Sequence, residues 1–232
     1  MCGVAGIVAH QPNAAPPTRE ALVRMAGALT HRGPDEVGIR HDIAAGFAHA
    51  RLSIIDLATG QQPIAGEDGR LQIVVNGELY GYEPVRQELL QRGHALRTSG
   101  DSEIALHLFE ESGPACLDRL RGEFALVIWD EREQRLFAAR DRFGIKPLFF
   151  ARANGRLYLA SEIKALLAAG APAAWDRESV HHLLTLGVPL PARTLFAGIR
   201  QVPPGHYLEA QGPEVRLVRW WDHDYPPADG RA

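Results

Sequence analysis

Apolar residues fall into short runs along the chain, broken by glycine, proline and charged clusters. GVAGIVA (3–9) predicts a buried strand. Pro16-Pro17-Thr18 then offers a helix start with Thr18 as N-cap and Glu20 in the first turn. Leu22, Met25, Ala26 and Leu29 form that helix's apolar stripe. HRGPDEVG (31–38) reads as a loop, and residues 44–49 and 51–55 as strands. LQIVV (71–75) predicts a strand stopping at Asn76-Gly77. Pro84 begins a helix that runs to about Gly93, and a second helix covers Ser102 to Ser112.

EFALVIWD (123–130) and RLFAARD (135–141) are strands joined by a charged turn. LFFAR and RLYLAS flank Ala153-Asn154-Gly155, a hairpin signal. SEIKALLAAG (161–170) and residues 176–186 predict helices, and HYLEA with EVRLVRW predicts a last hairpin around Gln211-Gly212-Pro213. PPADGRA (226–232) lacks core-forming groups and is expected to fray. Neighbouring strands and hairpins, interrupted by helices, point to antiparallel sheet with helices packed on it, an α+β design.

Composition narrows the function. The 232 residues are 46% hydrophobic and 23% charged, with net charge −3. That balance carries no basic excess for nucleic acid or an anionic membrane. No apolar run approaches the roughly 18 residues of a membrane span, and with no basic flank before the first apolar stretch a secretory signal is not expected. Two cysteines, Cys2 and Cys116, make no disulfide framework, and a cytoplasmic location is expected. No Cys/His group has zinc spacing, and the adjacent His181-His182 lacks further ligands, so no metal is assigned.

Cys2 is the first candidate for chemistry. Removal of Met1 would leave a thiol and a free α-amine on one carbon, a nucleophile with its own base. The other reading of Cys2 is a small apolar residue opening a strand. Arg51 has the guanidinium fork that suits a carboxylate, or is a surface arginine. Asn76-Gly77 offers an amide and a backbone N–H to an oxyanion, or is a turn. Asp101 in GDSE is a carboxylate at a helix start, or an N-cap.

Taken together, MCGVAGIV, HRGPDEVG, RLSIIDL, GQQPI, NGELY, SGDSEIAL, GEFALVIWD, RDRFGIKPLFF, ASEIKALL and VPPGHYL carry a resemblance. The chain resembles the glutaminase domain of class II glutamine amidotransferases, in particular the N-terminal half of the asparagine synthetase family. The resemblance implies a four-layer αββα N-terminal nucleophile hydrolase fold with two stacked antiparallel sheets. It implies that Cys2 attacks the side-chain amide of L-glutamine, forming a thioester. Asn76 and the Gly77 N–H would form the oxyanion hole. Arg51 would hold the substrate carboxylate, and Glu78 and Asp101 its ammonium.

Two departures stand out. Gly81 in NGELYGY replaces the family's asparagine, which would loosen the following loop. The SGGxDS-type pyrophosphate loop of the synthetase domain does not occur in this sequence. The expected organisation is a glutaminase domain over 2–212 and a C-terminal strand and tail over 213–232. No cofactor is expected in this chain; ATP and Mg would belong to a synthetase partner or domain. A homodimer is a further expectation, through an exposed apolar C-terminal hairpin. Non-catalytic glutamine sensing, docking on a synthetase, or a different ammonia acceptor are the alternatives.

Overall fold

A computed structural model of the protein describes residues 1–225; the expected fraying of 226–232 lies outside the described residues. Two six-stranded sheets form the body, and every named strand pair is antiparallel. In spatial order the first holds β10 (Ile199–Gln201), β8 (Phe149–Ala153), β9 (Arg156–Ala160), β1 (Gly3–Ala9), β3 (Ala45–Arg51) and β2 (Glu36–His41). The second holds β12 (Glu214–Arg219), β11 (His206–Gln211), β7 (Arg135–Arg140), β6 (Gly122–Asp130), β5 (Leu71–Leu79) and β4 (Ile64–Ala65).

Period-two alternation sorts the strand residues into three apolar layers. Between the sheets, Val4, Val8 and Phe47 of one meet Val74, Val127 and Trp129 of the other. On the outer face of the first sheet, Ile7 and Ala48 pack against α1 (Arg19–Ala28) and α4 (Ile163–Ala168) through Leu22, Met25 and Leu166. On the outer face of the second, Ile73, Val75 and Ile128 pack against α3 (Ser102–Ser112) and a 3-10 turn at Gly113–Asp118 through Ile104, Leu108 and Leu117. Helix, sheet, sheet, helix is the four-layer α+β order that the resemblance implied. Among the described residues no helix is long and apolar enough to cross a membrane.

Local rules explain many boundaries. Thr18 caps α1 by accepting the Ala21 N–H at 3.2 Å. Asn154 and Gly155 take φ of 53° and 72°, the turn that joins β8 to β9. Pro84 falls inside the first turn of α2 (Tyr82–Gln91), and Gly93, with φ 97°, follows its end. Gly81 precedes α2 with φ 62°, a left-handed backbone that glycine and asparagine both tolerate, and a Cβ there would meet nothing within 4 Å. α5 (Arg177–Leu186) is capped by Asp176, which accepts the Ser179 N–H at 3.0 Å.

Three expectations need correction. β5 does not stop at Asn76-Gly77 but runs through them to Leu79, because both pair with β6 opposite Ala125 and Phe124. Residues 52–55 are not strand; the Leu52 backbone is turned toward Cys2 instead. The segment read as a loop at 31–38 already enters β2 at Glu36. Cys116 is fully buried, and burial pushes its thiol up to about 12. The last hairpin forms as expected, with β12 exposing Leu217, while more apolar surface lies at Leu184, Leu186 and Val188 of α5 and beyond.

Candidate active site

The interior layer between the sheets is apolar in its middle and polar at one end. β1 turns Val4 and Val8 inward, and Cys2 precedes them on the same two-residue phase. β3 turns Phe47 inward, and His49 and Arg51 follow on that phase. β5 turns Val74 inward, then Asn76 and Glu78. β6 turns Ala125 and Val127 inward, preceded by Glu123. These polar ends border a cleft of about 210 Å³. All six residues singled out in the sequence line it: Cys2, Arg51, Asn76, Gly77, Glu78 and Asp101.

Cys2 is held from two sides. Its Sγ accepts the Leu52 N–H at 3.4 Å. Its carbonyl accepts from Arg32 Nε at 2.9 Å, and Arg32 Nη1 donates to Glu162 at 2.9 Å. Burial works against the Glu162 charge, yet hydrogen bonds from Arg32, His31 and Lys164 hold its carboxyl down at about 2. The HRG and SEI stretches therefore meet behind Cys2. Both stretches belong to the resemblance, yet the sequence alone assigns neither Arg32 nor Glu162 a task.

Asn76 is buried, and its Nδ2 has no hydrogen-bond partner among the described residues. Such a donor is costly unless something accepts from it. Gly77 is fixed by space, since a Cβ there would lie 2.5 Å from the Glu123 carbonyl oxygen. β4 pairs with β5 only as far as Ile73, so among the described residues the rest of that β5 edge has no strand beside it. Val75 N–H on this edge donates to Gln62 Oε1 at 2.6 Å, and Leu79 N–H to Asp101 Oδ2 at 2.7 Å. Strand alternation puts the Gly77 N–H on the same edge, between those two.

The charged groups divide by sign. Arg51 is buried, with its guanidinium donating to Glu36 at 3.3 Å and to the carbonyls of Ile55 and Asp56. Asp101 precedes α3, but its carboxylate makes no cap and goes to β5 instead. Burial raises the Asp101 carboxyl above its ordinary value, and the Glu78 charge adds to this. Two carboxylates facing one cleft favour a cation between them.

Three further lining residues went unnoticed in the sequence. His49 is buried, and its Nε2 donates to the Val75 carbonyl at 3.0 Å. Lys146 pairs with Glu123 at 2.8 Å and reaches Met1 Sδ at 3.3 Å. Asp141 sets that lysine by accepting the N–H groups of Phe143, Ile145 and Lys146, each at 3.0 Å, which gives DRFGIK a structural reason. The alternation of β3 was the signal for His49; Lys146 and Glu123 meet only in the folded chain.

Residues 1–221 match the glutamine amidotransferase domain family. Asparagine synthetase [glutamine-hydrolyzing] 2 of Bacillus subtilis is 38% identical over 90% of this chain and 29% of its own length. Amidase chyE of Penicillium rubens is 39% identical over 97% of this chain and 35% of its own. The chain thus spans about a third of the length of these curated relatives. The solved glutamine phosphoribosylpyrophosphate amidotransferase from B. subtilis superposes with TM-score 0.71 at 20% identity, over 96% of this chain and 50% of that one, a likeness of fold. The chain belongs to the family of glutamine amidotransferase domains.

Proposed function

We propose that this domain hydrolyses L-glutamine to glutamate and ammonia through Cys2, once Met1 is removed. The observation that carries the reading is that Cys2 and the unpartnered Asn76 Nδ2 face one cleft whose walls hold Arg51 and the Asp101–Glu78 pair. Arg51 takes the substrate α-carboxylate, and Asp101 with Glu78 takes the α-ammonium. The freed α-amine accepts the thiol proton, and the thiolate attacks the side-chain carbonyl carbon. The oxyanion is met by Asn76 Nδ2 and the Gly77 N–H. The protonated Cys2 amine returns its proton to the departing nitrogen, so ammonia leaves and a thioester remains. Water then adds, the amine again taking a proton, and glutamate is released with the thiol restored.

The ammonia is passed to an asparagine-synthetase-type amidation on a synthetase domain or partner, which is where ATP and Mg would be used. The likeness to Amidase chyE supports a second reading, the same glutaminase serving another acceptor. Ammonia release from glutamine tests the core of the proposal. Wild type is expected to turn over and Cys2→Ala to be inactive; equal rates would overturn the assignment. A glutamine-analogue electrophile that fails to label Cys2 would favour a non-catalytic sensing module instead.

A further inference from the structure

On the far side of α3 from the sheet interior, Glu67, His94, His107 and Glu110 converge. One ligand atom from each lies within 4.8 Å of the others. His94 Nδ1 stands 3.1 Å from Glu67 and 3.8 Å from Glu110; His107 Nδ1 stands 3.7 Å and 3.6 Å from the same two carboxylates. A tetrahedral zinc ion with bonds of roughly 2.0–2.1 Å has ligand-to-ligand edges of about 3.3–3.4 Å. The four separations bracket that edge.

Two observations besides proximity point to a ligand. The His107 side chain is fully buried, and its Nδ1 has no hydrogen-bond partner among the described residues. Glu110 Oε2, which faces it, is likewise buried and unpartnered. The outward nitrogens are also arranged. His107 Nε2 donates to Glu103 at 3.5 Å and His94 Nε2 to Glu111 at 3.2 Å. Glu103 is itself fixed by the N–H groups of Arg97 and Thr98 at 2.8 and 2.6 Å. For His107, a carboxylate holding the outer N–H leaves the inner nitrogen bare, the orientation that metal-binding imidazoles need. His94 Nδ1 lies within hydrogen-bond distance of Glu67 at 3.1 Å, a contact that a bound ion would replace. Among the described residues no lysine or arginine forms an ion pair with Glu67 or Glu110.

We propose that Glu67, His94, His107 and Glu110 form a structural site for a divalent transition cation, best matched by Zn²⁺. The site ties the turn before β5 to α3 and to the segment 94–101. That segment supplies Thr98 and Asp101 to the cleft, so the ion steadies one wall of the site without touching substrate.

Equilibrium dialysis of the full chain against Zn²⁺ at neutral pH, in a Cys2→Ala background that removes the competing thiol, tests this. One equivalent is expected, with a rise in Tm that a chelator reverses. His94→Ala and Glu110→Gln are expected to weaken binding by at least about 100-fold, and Glu111→Gln by about 10–100-fold. These side chains are partly exposed, so the variants are expected to fold, which circular dichroism checks. No stoichiometric binding, or binding unchanged in folded variants, overturns the proposal and leaves a proton-linked ion-pair cluster.

Discussion

The Asp101 carboxylate accepts the backbone N–H of Leu79 at 2.7 Å, which ties the start of α3 to the strand carrying Asn76 and Gly77. One residue thus serves the fold and the cleft, and the two duties can be separated. Asp101→Asn keeps an oxygen for Leu79 but loses the charge. KM for glutamine is expected to rise about 10–100-fold with a much smaller change in kcat. Asp101→Ala also orphans the Leu79 N–H and is expected to cost a further 1–3 kcal/mol or so of stability. An unchanged KM in Asp101→Asn would remove the residue from substrate binding.

Asn76→Ala separates activity from stability in the opposite way. It deletes a buried donor that has no partner among the described residues. Loss of an oxyanion donor is expected to lower kcat by about 10²–10³. Denaturant unfolding is expected to move by less than about 1 kcal/mol. A large loss of stability with kcat intact would show that the amide serves packing instead.

Gly77→Ala should fail structurally. Its Cβ would press on Glu123 and Phe124 of the paired strand. The strain is expected to cost about 1–3 kcal/mol, read as a Tm fall of roughly 3–10 °C in a domain of this size. A variant as stable as wild type would mean that β5 and β6 part there without cost.

His49 makes stability depend on acid. Its burial lowers the imidazole from 6.5 to about 4. Below 6.5 the unfolded chain takes up a proton that the folded chain refuses, because burial and the nearby Arg51 charge disfavour the imidazolium. The full stability is present above 6.5 and is lost progressively as pH falls toward 4, by about 3 kcal/mol. His49→Gln keeps a donor for Val75 and is expected to flatten that slope while being less stable at pH 7. Parallel slopes for the two proteins would place the acid sensitivity elsewhere.

Local chemistry made much of this fold legible. Arg19–Ala28, capped by Thr18, and the Asn154-Gly155 hairpin follow from capping and turn rules alone. The failures occur where pairing overrides a local signal. Asn76-Gly77 is a turn dipeptide by itself, yet nine residues of β5 paired with β6 keep it extended. LSII has strand composition, but its first N–H is taken by a sulfur. β2 hid in a polar stretch because only one of its faces meets the core. For the site, residue types suggested Cys2, Arg51, Asn76 and Asp101 one at a time, each with a bland alternative. The resemblance joined them and added Glu78. Arg32, Glu162 and Lys146 stayed invisible because their partners lie 130, 130 and 23 positions away.

Cys2 hangs from one sheet, while Asn76 and Gly77 hang from the other. Stacked sheets sit about 10 Å apart, a spacing set by the side chains wedged between them. The reach from the Cys2 sulfur to the Asn76 amide and the Gly77 N–H is therefore a gauge of filler thickness, read at the rim. Val4, Phe47, Val74 and Val127 act as shims. A methyl group added to or taken from any of them would retune the proposed reaction from a distance, with Cys2, Asn76 and Gly77 left as they were.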